Sequence, residues 1–355
     1  MSALLNPTTR VAALISATVS AGLLLSACGG SGSGATITGE GSTAQQKAMT
    51  HFADVLTDNG GAVLDYTGSG SGAGVKKFIQ GDVDFAGTDS ALKGDEIAQA
   101  KARCNGNDAW HLPMVIGPVA IAYNIPGVDK LNLNAATLAQ IFDSKISKWN
   151  DPTIAALNPG VTLPDTAIVP VHRSDSSGTT DNFTRYLKNA APQDWPHDPS
   201  KEWAGQGGSG AAKSTGVGDT VKKTPGSITY VEWGFATEND LGVVDIDFGS
   251  GPVALTADTA GVAVDAIKFK TPGSKDLVVD TDALYTLNQP GAYPLLLTPY
   301  SVVCSAGYAD AATGTAIKES FDTILDKGQE GLAALGFVPL PQAYATTLRA
   351  SIDAL

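Results

Sequence analysis

The sequence predicts an α/β protein with largely parallel sheets, divided between two lobes. Two observations carry this. Short apolar or alternating runs bounded by Gly, Pro or Asp recur along the chain, and segments with helical spacing lie between them. The chain has 355 residues, and without its N-terminal leader it is still long enough to favour two cores over one.

The strands expected in order are Leu64–Tyr66, Phe85–Gly87, Met114–Tyr123, Ile168–His172, Ile228–Tyr230 and Tyr293–Val303. Helices are expected over Ala44–Leu56, Val75–Gln80 and Thr180–Leu187. There Met49/Phe52/Ala53/Leu56, Val75/Phe78/Ile79 and Phe183/Tyr186/Leu187 follow the i, i+3, i+4 spacing of a one-sided helix. Further helical patterns cover Ala135–Phe142 and Ala311–Lys327. Residues 251–290 carry no clear period. Val115–Tyr123 and Tyr293–Val303 stand out as long runs able to cross between lobes. No repeat period is present.

The N-terminus reads as a targeting segment. Arg10 precedes an apolar stretch, Val11–Leu25, too short and wrongly flanked to span a membrane. Leu25-Ser26-Ala27-Cys28 ends it and reads as a lipobox, in which cleavage before Cys28 leaves a thiol for a diacylglycerol thioether. A plain signal peptide with a coincidental cysteine is the alternative. Residues 1–27 are then the leader and 28–35 a Gly/Ser tether. With Cys28 lipidated, Cys104 and Cys304 remain in an oxidising compartment. A disulfide between them is the economical reading, and two unpaired buried thiols the alternative.

The chain carries 23 Lys+Arg against 36 Asp+Glu, a net charge of −13. This argues against nucleic acid and against electrostatic adhesion to anionic lipid. It does not exclude an anionic ligand held by local dipoles, because surface charges are screened over roughly 8–10 Å in physiological salt.

Three Gly/Ser/Thr-rich turns open directly into helical patterns: Gly41-Ser42-Thr43, Gly70-Ser71-Gly72-Ala73-Gly74, and Arg173-Ser174-Asp175-Ser176-Ser177-Gly178-Thr179. A helix start presents unpaired N–H groups and partial positive charge, and small hydroxyl residues let an anion approach them. Three converging starts would make an oxyanion cradle. Each alone is equally consistent with an ordinary cap.

These segments resemble the substrate-binding lipoproteins of bacterial phosphate ABC importers, the PstS type, in their actinobacterial form. The resemblance is carried by Gly39–Thr43, Tyr66–Val75, Gly81–Asp89, Lys145–Pro152, Arg173–Thr179 and Pro225–Glu232, in family order. It implies a type II periplasmic-binding-protein fold, with a ligand cleft between two lobes and two strand crossovers as hinge. Lobe I would comprise 36–121 and 296–355, and lobe II 122–295, so that Cys104 and Cys304 join two segments of one lobe.

The resemblance also implies roles. Thr43 and Ser71 offer hydroxyl and N–H donors, and Ala44 a backbone N–H where relatives often have Phe. Asp89 accepts a hydrogen bond. Arg173 supplies charge, held by Asp175, and Ser177, Gly178 and Thr179 donate from the third helix start. Ser176 stands where glycine is common. Hydrogen phosphate carries a proton that Asp89 can accept, whereas sulfate offers it only lone pairs. Taken alone, Asp89 reads as the N-cap of a helix over Ala91–Ala102, since Asp is a leading cap residue.

Expected partners are inorganic phosphate and the permease subunits of an ABC importer. The protein would be a monomer, lipid-anchored on the outer face of the cell membrane, with no cofactor or metal. Enzyme chemistry finds no support. The four histidines lack metal-ligand spacing, Gly68-Ser69-Gly70-Ser71-Gly72 misses the G-x-S-x-G elbow, and there is no Gly-Lys-Ser/Thr. Another oxyanion, weak phosphatase activity, and a sensor or adhesin on the same fold are the rival readings.

Overall fold

Ile37, Leu64 and Phe85 project from three neighbouring strands into one core. β1 (Thr36–Gly41) pairs in parallel with β2 (Val63–Gly68) and β3 (Phe85–Thr88), and β14 (Tyr300–Cys304) runs antiparallel between β3 and β4 (Ala109–Pro113). This computed structural model describes residues 35–355, and Gly34–Leu355 forms one compact unit. The leader 1–27, Cys28 and the tether up to residue 34 lie outside the described residues.

A second sheet is ordered β10-β5-β9-β7-β8, from β5 (Gly117–Asn124), β7 (Val169–Arg173), β8 (Ser209–Ala211), β9 (Ser227–Glu232) and β10 (Gly242–Val243), with β13 (Leu296–Leu297) also on β5. A three-stranded sheet of β6 (Asn132–Asn134), β11 (Asp245–Asp247) and β12 (Pro252–Val253) lies beside it.

Helices cover the sheets. They are α1 (Gln46–Asp58), α2 (Ser71–Gln80), α3 (Asp95–Arg103), α4 (Ala135–Phe142), α5 (Pro152–Leu157), α6 (Gly178–Ala190), α7 (Lys213–Lys223), α8 (Trp233–Glu238), α9 (Ala257–Val264), α10 (Thr281–Tyr285), α11 (Ala311–Lys327) and α12 (Gln342–Ile352). α4 and α11 take their expected limits, and each is capped by a side chain: Asn134 accepts from Thr137 N–H, and Asp310 from Ala312 N–H.

The two long apolar runs are not single strands. Met114 and Val115 are buried in the core of the first sheet, and Ile116 in that of the second. The run is continuously apolar because it passes from one core into the other. Tyr293–Val303 likewise divides into β13 and β14 at Thr298-Pro299, where Pro299 has no N–H for a ladder. The chain thus crosses between sheets at 114–116 and 298–299. The expected lobe boundary after residue 121 falls inside β5. Leu277 and Val279, expected with the second lobe, are buried in clusters of the first sheet.

Other expectations shift at their ends. α1 opens at Gln46, two residues later than expected, because Thr43-Ala44-Gln45-Gln46 forms a turn, closed by Gln46 N–H donating to Thr43 O at 3.3 Å. α2 opens earlier, at Ser71. α3 starts at Asp95 with Gly94 at its cap position, so Asp89 does not cap it. The unassigned stretch 251–290 holds α9, with a Thr256–Thr259 capping box, and α10. Its short elements explain why no period was visible.

Cys104, at the end of α3, is bonded to Cys304, at the end of β14, with a Cα–Cα distance of 5.4 Å.

Candidate functional site

The site forms where α6 of the second sheet points its N-terminus at the loops after β1 and β3. Ser177 caps α6, its Oγ accepting from Thr180 N–H at 3.2 Å. Gly178 follows, and a Cβ there would lie 2.5 Å from Ser71 Oγ and 2.7 Å from the Asp89 Cβ. Only a residue without a side chain lets the helix approach so closely. Ser176, which stands where glycine is common, packs against Gly72. Gly72 N–H donates to Ser176 O at 3.1 Å, and a Cβ on Gly72 would meet Ser176 Oγ at 2.1 Å.

Asp89 sits just beyond β3 and is 2 % exposed. It accepts from Ser42 Oγ at 2.5 Å, and from Ser71 Oγ and Thr179 Oγ1 at 3.4 Å each. Hydroxyls from all three helix starts therefore converge on one carboxylate. Thr179 Oγ1 also reaches Glu232 Oε1 at 3.2 Å. Its single hydrogen can satisfy only one of the two acids at a time.

Arg173 ends β7 and is 2 % exposed. Its Nε donates to Asp175 Oδ1 at 2.7 Å and its Nη2 to Oδ2 at 2.5 Å, a bidentate pair that fixes the guanidinium. Asp175 Oδ1 also accepts from Lys213 N–H at 2.9 Å. Arg173 N–H donates to the Tyr230 hydroxyl, which in turn lies 2.7 Å from Thr180 Oγ1.

The Thr43 hydroxyl pairs with Ser214 Oγ of α7 at 2.7 Å, linking the β1–α1 turn to the opposite sheet, and Ala44 N–H donates to Ser42 Oγ at 3.1 Å. Around Asp89 the structure thus gathers Ser71, Gly178 and Thr179, while Thr43 and Ala44 follow Ser42 in the adjoining turn, Ser177 caps the same helix start and Arg173 is held by Asp175.

Sequence reasoning missed Ser42, Asn182 and Glu232. Asn182 Nδ2 donates to Asp89 O at 2.6 Å and to Gly178 O at 2.9 Å, tying the two walls together, and its Oδ1 accepts from the Tyr285 hydroxyl at 2.6 Å. Ser42 lies within a singled-out turn. The position of Asn182, in the first turns of the third helix, was its only local signal.

Comparison with known proteins agrees with this arrangement. A family model described as a PBP superfamily domain matches residues 27–316. The chain is 41 % identical over 368 aligned residues to phosphate-binding protein PstS3 of Mycobacterium bovis, covering 98 % of this chain and 99 % of that one. The chain belongs to the PstS-type family of phosphate-binding proteins. It is also 30 % identical to PstS of Haemophilus influenzae over 88 % of its length, covering 91 % of that protein. A high-affinity periplasmic phosphate-binding protein solved with phosphate, PfluDING, superposes with a TM-score of 0.71 at 25 % identity, covering 89 % of this chain and 93 % of that one. The fold is the two-lobed type II arrangement of the PstS family, whose members are named as binding proteins and not as enzymes.

The electrostatics of this PstS-family cleft are set by burial. Burial pushes the Asp89 carboxyl up to about 6, helped by the nearby Glu232 charge and opposed by the Ser42 hydrogen bond and Arg173. Burial also raises the Asp175 carboxyl, but the Arg173 hydrogen bond and charge, with Lys213 N–H, outweigh it and hold it below the usual carboxylate range. The buried Arg173 guanidinium is thus already engaged by Asp175. Any further anionic charge must be met by hydroxyl and N–H dipoles.

Ser177 caps α6. Ser177→Ala is expected to lower stability by about 1 kcal/mol through the lost cap, read as a fall in thermal midpoint. An unchanged midpoint would mean that the α6 start is held by its tertiary contacts alone.

Proposed function

We propose that this protein captures inorganic phosphate outside the cytoplasmic membrane and delivers it to an ABC-type importer. The observation that carries this reading is Asp89, buried and ringed by the hydroxyls of Ser42, Ser71 and Thr179 at the N-terminus of α6. A buried acceptor amid donors suits an anion that brings its own proton, as hydrogen phosphate does and sulfate does not.

In this reading Thr43, Ala44, Ser71, Ser177, Gly178 and Thr179 donate to the phosphate oxygens, Arg173 supplies the cation in the orientation Asp175 holds, and Asp89 takes the phosphate proton. The two lobes meet at the crossings 114–116 and 298–299 and close over the ligand, with the Thr43–Ser214 hydrogen bond spanning the cleft. Cys28 carries the lipid that holds the monomer beside its permease subunits.

Equilibrium dialysis of ligand-stripped protein against labelled phosphate, with sulfate in large excess, tests this. Stoichiometric binding that sulfate does not displace is expected. Displacement by sulfate would make it a general oxyanion binder, and no binding would remove the phosphate reading.

A further inference from the structure

A cavity of about 310 Å³ opens directly beside the oxyanion cradle. Thr43, Ala44 and Glu232, which belong to the cradle or touch it, form one wall. Phe235, Leu335 and Phe337 give the rest a mainly apolar character. In the phosphate reading the anion lies within the cradle and leaves this space over. The side chain of Ala44, a single methyl group, leaves it unfilled. Its charged groups lie at the edge: Lys47 Nζ meets Glu238 Oε2 at 2.6 Å, Glu232 Oε1 lies 3.2 Å from Thr179 Oγ1, and Lys213 is exposed at the start of α7.

We propose that the same cradle binds organic phosphonates carrying a compact apolar substituent, a short alkyl chain or one aromatic ring, with that substituent in this cavity. A monosubstituted phosphonate keeps three oxygens for Arg173 and the helix-start donors. In its singly ionised form it keeps a proton for Asp89. The bond to carbon replaces one oxygen, and the substituent removes apolar surface from water against Phe235, Leu335 and Phe337. The volume lies at the lower end of the roughly 300–1,000 Å³ typical of small-molecule sites, which suits a single ring and not a nucleotide or sugar phosphate. The inference rests on the phosphate reading, because it puts the phosphonate oxygens where phosphate would sit.

The test is isothermal titration calorimetry on the full-length protein in detergent, stripped of ligand, with phosphate, methylphosphonate and phenylphosphonate. Phenylphosphonate is expected to bind and to be displaced by phosphate. Thr215, exposed on α7 at the cavity wall and outside the cradle, supplies the variant. Thr215→Trp fills the cavity and is expected to weaken phenylphosphonate about tenfold or more, with phosphate and methylphosphonate within about twofold of the parent. Phosphate binding without competition by phenylphosphonate would overturn the inference and leave the phosphate reading standing. So would a variant that weakens all three ligands alike, or none. Absence of phosphate binding in the parent protein would remove the phosphate reading and this inference together.

Discussion

Asp89→Asn is expected to weaken phosphate binding roughly ten- to a hundredfold and to raise affinity for sulfate. The loss follows from removing a charged acceptor, since hydrogen bonds to charged groups contribute about 1.5–3 kcal/mol. The gain for sulfate follows because the Asn amide donates where the carboxylate met only lone pairs. The parent protein should show the same change when acidified. Asp89 is pushed up to about 6, so below that pH it is protonated and can itself donate to sulfate. Sulfate competition should therefore rise as pH falls through about 6 in the parent protein and stay flat in the variant. Calorimetric titration of both anions across this range checks it. Unchanged affinity and selectivity in Asp89→Asn would remove Asp89 from the account.

The same carboxylate costs stability. Its pKa is raised in the folded protein from 3.8 to about 6. Its favourable contribution is therefore fully present below about pH 4, where folded and unfolded chains are both protonated, and is lost as pH rises through about 6. The gap corresponds to at most about 3 kcal/mol at neutral pH. In buffer without oxyanion, Asp89→Asn should be the more stable protein at pH 7 and should lack this decline.

Breaking the Cys104–Cys304 bridge has the second large expected effect. The two residues are 200 apart in sequence, and the loop they close contains the whole second sheet. On the chain-entropy account a loop of this length is worth about 5 kcal/mol. The double change Cys104→Ser, Cys304→Ala should lower the denaturant midpoint strongly, and reduction of the parent protein should reproduce the shift. Both cysteines sit on elements of the first sheet, α3 and β14, so phosphate affinity under native conditions is expected to change little. A midpoint insensitive to reduction would show that the packing around the bridge carries the stability. The Arg103 guanidinium, 4.8 Å from the Phe78 and Tyr308 rings, is part of that packing.

Local chemistry made much of this protein legible. α4 and α11 were readable to the residue because their apolar spacing and side-chain caps are local signals. The three hydroxyl-rich turns were readable from the apolar spacing that follows them, although only α6 has a side-chain cap, at Ser177. Phe85–Gly87 and Ile228–Tyr230 were readable as short apolar runs although both faces are buried, whereas β1, with alternating burial, was not among the expected strands. The Met114–Tyr123 run misled because full burial on both sides of a crossing erases the period that separates one element from the next.

By itself, the sequence determined the α/β class, the three hydroxyl-rich turns and the two cysteines left for a bridge, whereas the roles of Asp89 and Arg173 came from the family resemblance. Only the tertiary structure decided that Ser42 and Thr179 share Asp89, that Glu232 stands beside Thr179, that Asn182 ties the two walls, and that Ala44 faces an unfilled cavity. These facts depend on residues brought together across 47, 53 and 93 positions of chain. Helix and turn signals act over a few residues, whereas a cleft is formed by how two separately built sheets approach each other, and no local period records that distance.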